Sequence, residues 1–336
     1  MIKKWPTMTR RAAQAGVVAL LLCPTVVRGW GWEGHETIGW LAERRIAGTR
    51  AATEVKKLLR PGETLAVVST WADRIKRGGF DEESNDFVLR NPGHATYHYT
   101  DIPFQAAAYR ADLIGARPED IVQIYARCID ILRGKSNAQS NPTGITTRVA
   151  LMLVVHFAGD MEQPFHIGDG YISEVGGVTR FVDPHGLPPE TYRSDIGGNA
   201  LMFGPGNLHY YWDILAVQRA MARNGGAANP SDFATWIAAR FKPDPLWHAR
   251  GEPATWPAQW ATSILPLCRE TRAGLRLGSR VEVPNPRPPP PFRSEWPIEL
   301  PAGYERRSMD AVGPQLARGG YRLALLLQAI WPDARP

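Results

Sequence analysis

Between Ala150 and His166 the chain reads ALMLVVHFAGDMEQPFH, an apolar run that delivers His156, Asp160 and His166 together. At about 3.6 residues per turn, His156 and Asp160 stand one turn apart on a single helical face, and Pro164 stops the helix before His166. Two imidazoles and a carboxylate at one helix end form a ligand set for a cation. With no thiolate among them, they suit catalytic rather than structural zinc. The segment NLHYYWD repeats the spacing with His209 and Asp213. Taken alone, a His with an Asp four residues on is an ordinary surface pair worth roughly a few tenths of a kcal/mol. Here eight histidines are available (His35, His94, His98, His156, His166, His185, His209 and His248), enough for several pairs to converge on one cluster.

Helices must position these groups. Apolar residues recur at helical spacing in residues 33–46, through Ile38, Leu41, Ala42 and Ile46, and again in 118–132, 144–161, 208–221, 231–241, 257–275 and 311–331. No long alternating run appears, so sheet is expected to be at most a small hairpin. The expected fold is all-α, a single mainly helical domain whose ligands sit on helix ends and on long Pro- and Gly-containing loops. Two segments lie outside this plan. Residues 167–195 form a Gly-, Pro- and charge-rich loop after His166, either a lid over the cleft or a surface insertion. Residues 283–301 contain four consecutive prolines and are expected to be an extended polyproline-like strap.

The first 29 residues carry Lys3, Lys4, Arg10 and Arg11, an apolar run from Gly16 to Leu22, and the small residues Val27 and Gly29. That run is too short to span a bilayer, and the pattern is that of a cleaved export signal. The processed chain is expected to start at Trp30 and to be periplasmic or extracellular. The Arg10–Arg11 pair also permits a twin-arginine route. Leu22 is too bulky for lipid attachment at Cys23, so no membrane anchor is expected. The full sequence has 39 basic and 33 acidic residues, a net charge of +6. Five of the basic residues, including Arg28, sit in the leader, so the remainder carries +1. Such a body is not a non-specific polyanion binder, and any nucleic-acid contact must come from a built site. Cys128 and Cys268 can form one bridge at most, so the fold does not depend on a disulfide framework.

Taken in order, WGWEGH, STWADRIK, YHYTDIP, HFAGDMEQPFH, GGN, NLHYYWD and LARGGYRLA resemble the zinc-dependent fungal-type S-one and P-one nucleases and their bacterial relatives, across residues 30–324. The resemblance implies three zinc ions in one cleft. Asp73, His98, His156 and one oxygen of Asp160 would hold one ion of a close pair. The other oxygen of Asp160, His35, and the amine and carbonyl of Trp30 would hold its neighbour. His166, His209 and Asp213 would take the third. An α-amine of pKa about 7.7–8.0 yields its proton to a cation at neutral pH and chelates through its own carbonyl, which only a processed chain can do. Gly31 and Gly34 let the backbone turn tightly enough for Trp30 and His35 to reach one ion. Two cations about 3.5–4 Å apart under one carboxylate make a shared water nucleophilic near neutral pH.

The same resemblance implies single-stranded DNA, RNA and nucleotides as substrates, 5′-phosphate products and 3′-nucleotidase activity. Asp73, Lys76 and Asp160 are the expected catalytic residues: Asp160 as the bridge, Asp73 orienting the nucleophile, and Lys76 where the family commonly has a phosphate-steadying arginine. A lysine lacks the arginine fork, so Lys76 either contacts phosphate as a point charge or is a solvated helix charge. Tyr99 offers a stacking face, Asp101 a base-recognising carboxylate and Asn199 a further polar contact; otherwise these are plain loop residues. The rival is a zinc phospholipase C acting on lipid head groups. That branch typically has Glu as the last carboxylate ligand and a longer interval between the leading Trp and the first His. Asp213 and the four residues between Trp30 and His35 favour the nuclease. A non-catalytic metal-binding protein would be signalled by a missing ligand, and none is missing.

Overall fold

The structure, a computed structural model, describes residues 30–204, 206–224, 227–285 and 290–334. The expected export leader lies outside the described residues. The helices of the first half are α1 (Trp32–Ile46), α2 (Arg50–Leu58), α3 (Leu65–Val68), α4 (Trp71–Arg74), α5 (Glu82–Arg90), α6 (Ile121–Leu132) and α7 (Thr147–Asp160). Those of the second half are α8 (Leu208–Tyr210), α9 (Ala216–Arg223), α10 (Pro230–Arg240), α11 (Trp256–Glu270) and α12 (Tyr304–Ile330). Short strands fill the gaps: β1 (Ile102–Pro103), β2 (Gly168–Asp169), β3 (Tyr171–Val175), β4 (Val178–Val182), β5 (Arg193–Ser194), β6 (Leu201–Phe203), β7 (Gly206–Asn207), β8 (Arg276–Leu277), β9 (Val281–Pro284) and β10 (Phe292–Glu299).

Helix α7 is the axis of the molecule. The Thr146 hydroxyl accepts from the Val149 N–H and starts it. From Val149 to Asp160 each of its residues is buried, and a helix that is apolar all round belongs in a core. Around it pack α1, α4, α6 and α12. Helix α1 is held between α12 and α3 by missing side chains: a Cβ on Gly320 would lie 2.4 Å from the Leu41 Cβ, and one on Gly39 would lie 2.5 Å from the Ala66 Cα. These backbones therefore meet closely, and His35 is fixed against α7. Cys128 and Cys268 are both buried free thiols. Among the described residues no helix is long and apolar enough to cross a membrane.

The mainly helical expectation holds, and four details are corrected. Sheet exceeds a small hairpin: β10 pairs parallel with β6 and antiparallel with β8 and β9, and β6 pairs with β7. Of residues 283–301, positions 286–289 lie outside the described residues, and the described remainder is largely strand rather than a polyproline strap: β10 runs through the sheet with Trp296 and Ile298 buried. Residues 167–195 are not an irregular loop. β3 and β4 form a hairpin across Gly176 and Gly177, whose φ values of 63° and 77° supply the left-handed turn, and β5 adds a third strand. The expected helix over 208–221 is interrupted by a π-helical turn at Tyr211–Leu215, where the backbone ladder widens.

Candidate metal centre

Asp160 sits at the last residue of α7, one turn after His156, and both are fully buried. Its Oδ2 lies 3.0 Å from His156 Nε2 and 3.0 Å from His98 Nδ1, while Oδ1 lies 3.4 Å from His35 Nε2. The His35 ring stacks on that of His156 with centroids 4.0 Å apart. Gly159 permits this: a Cβ there would lie 2.5 Å from His35 Nδ1. Asp73 on α4 brings its Oδ1 to 3.8 Å from both His98 Nδ1 and His156 Nε2. One carboxylate thus faces imidazoles from three segments of chain.

A second group forms beside it. After α7 the short 3-10 turn Pro164–His166 presents His166, and the π-helical turn presents Asp213. His209 Nε2 lies 3.1 Å from Asp213 Oδ2, and the His166 and His209 rings are 5.0 Å apart. His166, His209 and Asp213 offer ligand atoms within 4.8 Å of one another, as do His98, His156 and Asp160, and His35, Asp73 and His156. Trp30 is fully buried, and the next residue docks on the second group: Gly31 N–H donates to the Asp213 carbonyl at 2.7 Å. Each metal-ligand candidate named from sequence therefore lies in or beside one buried cluster.

Backbone carbonyls orient the imidazoles. Ser69 O lies 2.6 Å from His156 Nδ1, His98 O 2.8 Å from His166 Nδ1, and Gly197 O 2.6 Å from His209 Nδ1. A carbonyl can only accept, so each of these rings carries its proton on Nδ1 and turns the Nε2 lone pair inward. The lone pairs of His156 and His209 then confront carboxylate oxygens at 3.0 and 3.1 Å, acceptor against acceptor, unless a cation or proton lies between them. His35 Nδ1 and Nε2, His166 Nε2, His209 Nε2 and Asp160 Oδ1 are buried without a hydrogen-bond partner among the described residues. Unpaired buried groups of this kind are costly, and their convergence fits metal ions.

The charges are balanced against burial. Burial and the Lys76 ammonium lower His98 to about 3, and burial together with the neighbouring His156 lowers His35. Burial also acts to lower His156, but the Asp160 and Asp73 carboxylates outweigh it and raise its pKa. Burial opposes ionisation of Asp160, yet His156 and His166 hold it well below the usual carboxylate range. Lys76 is not a solvated helix charge. Its side chain is 7% exposed, and its Nζ lies 2.7 Å from Asp73 Oδ1.

The remaining candidates line the rim. Tyr99 and Asp101 are part-exposed neighbours of His98, and the Asp101 carboxylate is engaged by Arg117 at 2.5 Å. Asn199 donates to the Ile196 carbonyl and closes the turn that carries Gly197 and Gly198. That turn is unusual: Ile196, Gly197 and Gly198 have φ values of 55°, 54° and 77°, and a β-branched residue is strained there. Buried charge holds it in place. Asp169 Oδ1 accepts from Gly197 N–H, Asp195 Oδ1 accepts from Gly198 N–H, and Arg272 pairs with Asp195 at 2.9 Å. Burial and the adjacent Asp195 and Asp101 push Asp169 well above the carboxylate range, whereas Arg272 pulls Asp195 down against its burial.

Sequence reasoning missed Arg117, Arg272, Asp169, Asp195 and Gln163. Only Gln163 carried a local signal, as the residue before Pro164: its Oε1 caps the 3-10 turn by accepting from Phe165 N–H, and its Nε2 donates to Asp213 Oδ1 at 2.5 Å.

Comparison with known proteins agrees with this geometry. The family described as S1/P1 Nuclease matches residues 30–332. The chain is 30% identical to Endonuclease 2 of Arabidopsis thaliana over 212 residues, 61% of this chain and 62% of that protein, so the match spans under two thirds of that relative. It is 28% identical to Endonuclease 4 of the same plant over 324 residues, 90% of this chain and 89% of the relative. To Nuclease S1 of Aspergillus oryzae it is 28% identical over 207 residues, 60% of this chain and 59% of that one.

Proposed function

The chain belongs to the S1/P1 nuclease family, and from that premise we propose that it is an exported, zinc-dependent phosphodiesterase, processed to begin at Trp30. It cleaves single-stranded DNA and RNA to 5′-phosphate products and removes 3′-phosphates from nucleotides. The observation that carries the reading is the set of carbonyl-oriented imidazoles whose inward lone pairs meet buried carboxylates at 3.0–3.1 Å. Trp30, His35, Asp73, His98, His156, Asp160, His166, His209 and Asp213 would together hold three zinc ions. Bound there, zinc supplies Lewis acidity toward a phosphoryl oxygen and acidifies water.

The chain's own residues do the rest. Asp160 turns one oxygen toward His98 and His156 and the other toward His35, which suits it to bridge a close pair. Asp73 keeps the buried Lys76 ammonium beside the cluster, where it can offset phosphate charge. Tyr99 supplies a ring face at the rim for an unpaired base, which duplexed bases cannot use. The test compares turnover on single-stranded DNA, duplex DNA and phosphatidylcholine, alongside a metal count and N-terminal sequencing of the exported protein. Fast hydrolysis of the single strand with a chain starting at Trp30 is expected. Preferential hydrolysis of phosphatidylcholine would overturn the reading in favour of a phospholipase.

A further inference from the structure

The rim segment that follows His98 runs into β1 and is tied down on one side. Thr100 N–H donates to the His166 carbonyl at 2.8 Å, and β1 pairs with β2 immediately beyond. Side chains alternate along such a segment. His98 and Thr100 point inward and are buried, while Tyr99 and Asp101 point outward, with 23% of the Asp101 side chain still accessible. An aromatic face and a carboxylate side by side at the mouth of a phosphodiesterase centre make a slot for a nucleobase.

A second segment changes what that slot can read. Gly115, with φ of 85°, lies so close to Asp101 that a Cβ would come within 1.9 Å of its carbonyl oxygen, and this contact delivers Arg117. The Arg117 guanidinium donates to Asp101 Oδ2 at 2.5 Å and to the Thr96 and Tyr99 carbonyls at 3.3 Å, with its carbon 4.7 Å from the centre of the Tyr99 ring. Its Nε is buried with no hydrogen-bond partner among the described residues. A free carboxylate only accepts, and it would select bases with adjacent N–H donors, above all the N1–H and 2-amino group of guanine. With its charge neutralised and Oδ2 taken by the guanidinium, it no longer offers two free charged acceptors to that edge.

We propose that Arg117 is a specificity-determining residue: by engaging Asp101 over the Tyr99 ring, it stops the slot from reading the amino group on a purine's pairing edge. The inference rests on the nuclease reading, and the test separates the two. Calorimetric titration of the metal-loaded protein with 5′-GMP and 5′-IMP, which differ only in that 2-amino group, needs no turnover. In the unaltered protein the two dissociation constants agree within about twofold. In Arg117→Met, GMP becomes favoured over IMP by about tenfold, the gain of one charge-assisted hydrogen bond, and Arg117→Met/Asp101→Asn returns the ratio to near one. Loss of a positive charge weakens both nucleotides alike and cancels from the ratio. A tenfold preference for GMP already present before substitution, or an unchanged ratio in Arg117→Met, would overturn the inference. Absence of single-strand hydrolysis would instead sink the nuclease reading and leave this ratio to be measured independently.

Discussion

Replacing Arg272 by Met removes a charge while keeping a stem of similar length, and the consequence can be worked out in two parts. Arg272 and Asp195 are both almost wholly buried and paired at 2.9 and 3.1 Å, with the guanidinium carbon 4.5 Å from the centre of the Phe165 ring. Breaking a buried pair from one side costs about 3–5 kcal/mol, because the surviving charge has no solvent. At roughly 2 °C per kcal/mol for a domain of this size, the melting temperature should fall by roughly 6–10 °C. The pH dependence carries a sign. With Arg272 present, the Asp195 pKa is depressed, so its contribution exists above the unfolded carboxylate value and is lost as acid protonates it. Without Arg272, burial is left without its main opposing charge and raises the Asp195 pKa, so the variant is penalised most where Asp195 must ionise. The deficit should therefore be largest near pH 8 and shrink toward pH 5. Asp195 also holds the turn whose Gly197 carbonyl orients His209, and loss of such outer support weakens metal binding by about 10- to 100-fold. Differential scanning fluorimetry across pH and competition with a fluorescent zinc chelator read both effects. A fall of under about 2 °C at pH 8, or a deficit that grows on acidification, would refute the reasoning.

Chelation should abolish activity and lower the melting temperature, since Asp73, Asp160 and Asp213 then share a buried cluster with unpaired imidazoles; unchanged melting in excess EDTA contradicts a metal-built core. Asp160→Asn removes a charge that faces three imidazoles. It should reduce kcat by far more than Lys76→Ala does, and the reverse ranking in a single-strand assay would remove Asp160 from its bridging role. Ile196→Gly should relieve the left-handed strain at φ 55° and stabilise the fold by about 1 kcal/mol, whereas a lower melting temperature would mean that the Ile196 side chain earns its place through packing.

The convergence of the candidate ligands was legible because their spacing is local. His156 and Asp160, or His209 and Asp213, are close in sequence, and a helix converts that spacing into shared direction. Some missed elements also carried local signals. The hairpin YISEVGGVTRFV has two β-branched runs around a Gly-Gly turn, and α5 begins with the reciprocal cap between Asp81 and Ser84. β10 was concealed by the prolines before it and by Pro297 within it, since proline reads as a strand breaker until its place in a sheet is known. Arg117 and Arg272 were illegible for a different reason. Each acts on a residue brought to it by tertiary folding, Asp101 across 16 positions and Asp195 across 77, and one sequence contains no trace of that meeting. The sequence offers Asp101 as a base-recognising carboxylate beside Tyr99, but its pairing depends on an arginine whose approach only Gly115 allows.

The clasp between α1 and α12 also bears on when the molecule can act. The helix bearing His35 has α3 and α7 beside it earlier in the chain but gains α12 only after nearly all of the described chain has been synthesised, because Gly319 and Gly320 of α12 are what admit Ile38 and Leu41. A nascent polypeptide still emerging from the ribosome therefore lacks the last wall around that helix. The proposed phosphodiesterase would thus complete the packing behind His35 only as its own synthesis ends.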